Sequence, residues 1–179
     1  MYLKNFPYNI SIKDNKYPNI IPAFIEIAKE SRMKYEWDHH KNSLVLDRVL
    51  HSAVFYPHNY GFIPQTMCDD GDPLDVLIMS RESLIPGCMV DIRPICYMVM
   101  EDEKGRDEKM LAVINKDPFF SHIQDIDDIP EYTLKEISHF FETYKLLEKD
   151  KWVKIGSWHN KEDTIKLLDV SHKSYISKI

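Results

Sequence analysis

The sequence predicts a mainly β member of the α+β class, a small β-barrel with helices packed on it. Three observations lead there. From Phe24 onward, apolar and polar residues alternate in short segments, the period-two signature of half-buried strands. Turn residues punctuate those segments at His58-Asn59-Tyr60-Gly61, Ile85-Pro86-Gly87 and Lys104-Gly105, and only five glycines are present to mark such turns. Near residue 130 the apolar period switches to that of a helix.

The elements follow in order. At 179 residues the chain is one domain, 1–179, long enough to bury a core without disulfides or structural metal. Residues 1–22, rich in Pro and Asn, form an irregular arm with room for a short helix. Ile25 and Ile27 then point one way and Glu26 the other. In Lys34 to Asp38, the charged Lys34, Glu36 and Asp38 share one face, with Tyr35 and Trp37 on the other. Ser43 to Leu50 is a strand with Arg48 on the face of Leu44 and Leu46. Another strand runs from Asp75 through Met79, and a long one from Met89 to Met100, where Pro94 marks an edge or a bulge. Met110 to Ile114 returns after the Lys104-Gly105 turn, so these strands read as a meander. Asp128-Ile129-Pro130-Glu131 reads as an N-cap with a capping-box Glu, followed by Leu134, Ile137, Phe140, Phe141, Tyr144 and Leu147 at helical spacing. A second helix covers Lys161 to Leu168.

The carboxylates carry the chemistry. Asp70-Gly71-Asp72-Pro73-Leu74-Asp75 is followed about thirty residues later by Asp102-Glu103 and Asp107. Clustered carboxylates repel and raise one another's pKa unless cations neutralise them. An all-oxygen donor set suits Mg²⁺. The cations and phenols Lys34, Arg48, Tyr56, Tyr60, Lys109, Tyr144 and Lys145 would suit a phosphate group beside such an ion. Taken singly, each feature also has an ordinary reading: D-G and D-P are turn dipeptides, and Tyr56 with Tyr60 is a core-packing pair. An EF-hand does not match, because the sixth position from Asp70 is Asp75 and the twelfth is Arg81. The histidines and cysteines lack zinc spacing, and neither a P-loop nor a G-x-S-x-G elbow occurs.

Composition narrows the partners. With 23 basic and 29 acidic residues the formal charge is −6, which argues against nucleic acid. An anionic substrate is then admitted only if metal ions invert the local sign. No run of about 18 apolar residues exists, so no membrane span is expected. Three cysteines without a C-x-x-C pair and an N-terminus without a signal-like apolar run point to a reducing, cytoplasmic setting.

Together these residues resemble the family I soluble inorganic pyrophosphatases of bacterial type. The resemblance is carried by Phe24-Ile25-Glu26-Ile27, Lys34-Tyr35-Glu36, Asp47-Arg48, Phe55-Tyr56-Pro57-His58-Asn59-Tyr60-Gly61 and Asp70-Gly71-Asp72-Pro73-Leu74-Asp75-Val76. It continues through Asp102-Glu103, Asp107-x-Lys109, His139 to Lys145 and Lys151-Trp152, covering roughly residues 24–160. It implies an OB-like five-stranded barrel, Mg²⁺-dependent hydrolysis of pyrophosphate to two phosphates, and a homo-oligomer, a hexamer for short chains of this kind. Several Mg²⁺ ions per site are implied. The resemblance makes Asp70, Asp75, Asp102, Asp107 and Glu26 metal ligands and Asp72 the general base, with Tyr60 and Arg48 beside it in catalysis. Lys34, Arg48, Tyr56, Lys109, Tyr144 and Lys145 match substrate contacts, and Glu36 and Glu103 support them. In-line attack of a metal-activated water follows, without a covalent intermediate. A nucleoside polyphosphate hydrolase, a nucleic-acid-binding OB domain and a Ca²⁺-binding structural domain are the rival readings.

Overall fold

The computed structural model describes residues 2–179. Among these residues eight strands occur: β1 (Ile21–Ile27), β2 (Met33–Asp38), β3 (Ser43–Val49), β4 (Asn59–Phe62), β5 (Asp75–Met79), β6 (Met89–Asp102), β7 (Gly105–Ile114) and β8 (Val153–His159). Two helices follow the barrel strands, α1 (Glu131–Thr143) and, after β8, α2 (Lys161–Lys178). Strands β1, β4, β5, β7 and β6 pair in that order, and β6 returns to β1, so five strands close into a ring. Strand β8 adds to the outside edge of β6, and β2 and β3 make a separate two-stranded sheet. The mainly β barrel with helices is as expected. A simple meander is not, because β5 and β7 run parallel. Parallel neighbours need a crossover, and here the β6 excursion supplies it.

Closure explains the apolar runs. Val76, Ile78, Met110 and Ala112 pack into one cluster, whereas Leu77, Met79, Leu111 and Val113 pack into another beneath α1. Strands buried on both faces lose the polar half of the alternation, which is why β5 and β7 read as continuous hydrophobic stretches.

Local differences have local causes. Strand β1 starts at Ile21, three residues ahead of the visible alternation, because Ile21 to Phe24 pair with β6. Pro94 sits beside a bulge between Pro94 and Cys96, paired with Ala112 of β7 on one side, while on the other side the β1 pairing ends at Ile92 and the β8 pairing begins at Tyr97, so a bulge and a locally free edge accommodate it together. Asp128 does not cap α1. It belongs to a short 3₁₀ turn capped by Asp125, with which it forms a reciprocal box, and Pro130 precedes α1 with no side-chain cap. Leu147 lies beyond α1 and is exposed. Helix α2 runs ten residues past Leu168, since Leu168, His172 and Tyr175 keep a buried stripe. Strand β8, which the alternation did not announce, holds no fully buried residue; Val153, Ile155, Trp158 and His159 are half-buried and the others exposed. The cysteines Cys68, Cys88 and Cys96 are free. No helix among the described residues is long and apolar enough to cross a membrane.

One glycine is required by close approach. A Cβ on Gly61 would sit 1.8 Å from the Phe24 carbonyl oxygen, across the β1–β4 pairing. Gly61→Ala is expected to destabilise the fold by about 1–3 kcal/mol, the range for overpacking a rigid site. Urea denaturation measures it, and an unshifted midpoint would show that the strands can part there at no cost.

Candidate active site

The site is assembled where strand ends and loops of the ring meet the β2–β3 hairpin. The β5–β7 register places Asp75 opposite Lys109. Asp107, two residues before Lys109, falls on the same strand face. As a result Lys109 Nζ donates to Asp75 Oδ2 and, at 2.6 Å, to both oxygens of Asp107. Asp102 ends β6, and its Oδ1 accepts the Lys104 N–H at 2.8 Å. Lys145, just past α1, reaches Asp102 Oδ2 at 2.6 Å and stands 3.7 Å from Glu103, which also accepts from Lys151.

The Asp70–Asp75 loop is pinned at its base. Thr66 Oγ1 accepts the Leu74 N–H at 2.9 Å and donates to the Ile63 carbonyl at 2.6 Å, and Leu74 is fully buried. At its tip Gly71 has φ +89°, a conformation that favours glycine, and Asp70 Oδ1 accepts the Asp72 N–H at 3.0 Å.

Two bulges aim charges that strict alternation would misplace. In β1 the register slips between Ile25 and Ile27, leaving Glu26 as the extra residue. In the hairpin, Lys34 pairs with Arg48 but Tyr35 with Leu46, leaving Asp47 as the extra residue. Arg48 therefore shares a face with Lys34 rather than with Leu44 and Leu46, correcting the expectation from period two. Asp47 holds both cations, 3.4 Å from Lys34 Nζ and 2.6 Å from Arg48 Nη1. Lys34 also pairs with Glu36.

The result is a cavity of about 530 Å³. Its wall includes Glu26, Lys34, Glu36, Arg48, Tyr60, Asp70, Asp72, Asp75, Asp102, Glu103, Asp107, Lys109, Tyr144 and Lys145. Of the residues singled out in the sequence, Tyr56 alone is not on that wall. It is 1 % exposed, with its ring 5.2 Å from Tyr60 and 4.8 Å from Phe140, so the ring packs in the core beneath α1. Tyr8, Asp47, Lys104 and Lys151 line the cavity without having been assigned roles. Asp47 and Lys151 were visible within the motifs, but nothing in the arm's irregular pattern pointed to Tyr8.

Electrostatics follow from crowding. Nine carboxylates face six cationic side chains. Burial raises the Glu26 pKa to about 8, with the Trp37 N–H opposing and Asp75 adding. Burial also raises Asp107, to about 6; Lys109 opposes and Asp75 adds, one ammonium serving two carboxylates. For Lys109 burial works downward, but Asp75 and Asp107 outweigh it and hold the ammonium firmly charged. Asp72 keeps solvent access at the rim, yet the surrounding wall and then Asp70 raise its pKa. At Asp102 burial acts upward, and the bonds from Lys145 and the Lys104 N–H more than offset it. Burial first, then the charge of Asp75, raises Tyr60 well above the usual phenol value.

The donor set fits a hard divalent cation. Among the described residues no three Asp, Glu, His or Cys groups converge as a ready cage. Instead the carboxylates turn onto lysines, and positive charge already lies between Asp75 and Asp107 as the Lys109 ammonium. Glu103 Oε2 is buried without a partner. All-oxygen donors, a shared cation position and an orphaned carboxylate oxygen suit Mg²⁺ better than zinc.

Fold and site together define a class, a closed β-barrel with a densely charged cavity. Comparisons narrow it. The profile described as Pyrophosphatase, inorganic pyrophosphatase, matches residues 23–176. The inorganic pyrophosphatase of Thermus thermophilus is 48 % identical over 150 residues, covering 83 % of this chain and 86 % of that protein. That of Saccharolobus solfataricus is 51 % identical over 145 residues, covering 80 % and 84 %. The Thermus thermophilus crystal structure superposes with a TM-score of 0.90 at 43 % identity, over 98 % of this chain and 99 % of that one. The chain belongs to the inorganic pyrophosphatase family of hydrolases.

Proposed function

We propose that the chain hydrolyses inorganic pyrophosphate to two phosphates in a Mg²⁺-dependent reaction, by in-line attack of water on phosphorus. The observation that carries this reading is the interleaving of carboxylates and lysines in one cavity, Asp75–Lys109–Asp107 beside Asp102–Lys145. Asp70, Asp75, Asp102 and Asp107 would hold the cations, with Glu26 facing a further one. Bound there, Mg²⁺ supplies charge neutralisation and acidifies a water. Asp72, upward-shifted and at the rim, accepts the proton of the attacking water. Lys34, Arg48, Lys109 and Lys145 hold phosphoryl oxygens, and the phenols of Tyr60 and Tyr144 stay protonated as donors because burial raises both. Tyr56 backs Tyr60, and Glu36 and Glu103 orient Lys34 and Lys145. No Ser, Cys or His stands activated as a nucleophile on the cavity wall, consistent with direct attack.

A hexamer of copies and a cytoplasmic setting fit the same reading. Tyr132 and Leu147 are large, apolar and more than two-thirds exposed, surface that packing between copies would cover. Free thiols suit a reducing compartment.

The deciding assay is phosphate release from pyrophosphate as Mg²⁺ is titrated, with EDTA as the blank. Release should rise from the blank level to saturation with Mg²⁺. Release that ignores EDTA removes the metal from the reading, and none at saturating Mg²⁺ removes the substrate. Competition between pyrophosphate and ATP separates this activity from nucleotide hydrolysis.

A further inference from the structure

One wall of the cavity does not belong to the barrel. The β2–β3 hairpin forms its own sheet and brings Lys34, Glu36, Asp47 and Arg48 to the site. A two-stranded ribbon is marginal alone, so its anchors set its angle. At one anchor Arg48 Nε donates to Glu148 at 2.9 Å. The other is aromatic and comes largely from the N-terminal arm. Trp37 of β2 lies edge-on to Phe24 and to Phe6, with centroids 5.3 Å and 5.6 Å apart. The Trp37 N–H donates to Glu26 Oε1 at 2.8 Å, and the Tyr8 hydroxyl donates to the Trp37 carbonyl at 3.4 Å. Tyr8 in turn stacks on Phe62 of β4 and lines the cavity. At the hairpin turn, Tyr2 stacks on His39 with centroids 4.0 Å apart.

We infer that the arm is a positioning strap for the phosphate-gripping hairpin. Phe6 and Tyr8, acting through Trp37, set where Lys34 and Arg48 stand relative to the barrel carboxylates. They thereby set how tightly phosphate is held. The inference rests on the proposed pyrophosphatase reading of the site. The aromatic rings do not offer themselves as a base sandwich, since Tyr8 is stacked on Phe62 and Trp37 is engaged in T-shaped contacts with Phe6 and Phe24. Displacing a gripping ammonium or guanidinium by about 1 Å is enough to carry it out of hydrogen-bond reach of a phosphoryl oxygen. The rest of the arm is tied elsewhere: Lys13 and Tyr17 bond Asp169 of α2 at 3.0 Å and 2.6 Å. That separation provides an internal control.

The test compares Tyr8→Ala, Phe6→Ala, Tyr8→Phe and Lys13→Ala in the full chain. The readouts are kcat and KM for pyrophosphate with Mg²⁺, and the Kd of inorganic phosphate by calorimetry. Tyr8→Ala and Phe6→Ala should raise KM and the phosphate Kd about tenfold while kcat stays within about threefold. Tyr8→Phe should restore both, because the ring packs while its hydroxyl contact is long. Lys13→Ala should match the parent. Phe6 is 43 % exposed, so its truncation keeps the test alive where Tyr8→Ala fails to fold. Unchanged KM and Kd in folded Phe6→Ala and Tyr8→Ala overturn the strap. So does a fall in kcat and melting temperature with no change in Kd, which would make the arm a fold stabiliser only. If the parent chain releases no phosphate, the pyrophosphatase reading fails, and the phosphate Kd still decides whether the arm positions an anion site.

Discussion

Replacing Asp72 by asparagine is expected to lower turnover by about 10²–10⁴-fold, the range for losing a positioned general base, with little change in the Mg²⁺ activation midpoint. Among the described residues no lysine or arginine forms an ion pair with Asp72, whereas Asp75, Asp102 and Asp107 are each paired. Its place in the loop is set by backbone bonds, the N–H to Asp70 Oδ1 at 3.0 Å and the carbonyl from the Cys68 N–H at 2.8 Å. Asparagine keeps both. What it loses is a carboxylate whose pKa burial, and then Asp70, raise above the ordinary value. Steady-state kinetics over a Mg²⁺ titration checks this. Turnover within tenfold of the parent would remove Asp72 from the base role. A shifted Mg²⁺ midpoint would move it among the metal ligands.

Lys109→Met is expected to cost about 3–5 kcal/mol of stability at neutral pH, the scale for removing one partner of a buried ion pair. Lys109 is 3 % exposed, and its ammonium is bonded to both Asp75 and Asp107. Without it two partly buried carboxylates face each other. Asp107, already raised to about 6, would rise further. A carboxylate whose folded pKa exceeds its unfolded value adds stability below the unfolded value. It loses that stability as pH rises through the folded value. The variant should therefore lag the parent more near pH 8 than near pH 5, and millimolar Mg²⁺ should recover part of the loss near pH 8. Urea denaturation at both pH values measures it. Equal midpoints near pH 8 would mean that Asp75 and Asp107 do not depend on the lysine.

Much of the site was legible because its motifs are local. Asp70, Asp72 and Asp75 lie within six residues, and a loop that short leaves them together whatever the fold does. The same holds for Asp102 with Glu103 and for Tyr144 with Lys145. Strands β5, β6 and β7 announced themselves through apolar runs, and α1 through its 3.6-residue stripe. Strand β8 did not, because it adds to the ring's outside and buries neither face fully.

The sequence by itself determined the class of fold, the family and the inventory of charged groups, since composition, periodicity and short motifs depend only on neighbours along the chain. Tertiary structure decided which groups meet. The parallel β5–β7 register set Lys109 between Asp75 and Asp107. Two bulges turned Glu26, Asp47 and Arg48 into the cavity. Packing under α1 drew Tyr56 off the wall, and the arm, patternless in sequence, folded back to place Tyr8 on it. Register, bulges and long-range packing are settled by the free energy of the whole core and by pairing between distant segments, which no local pattern encodes.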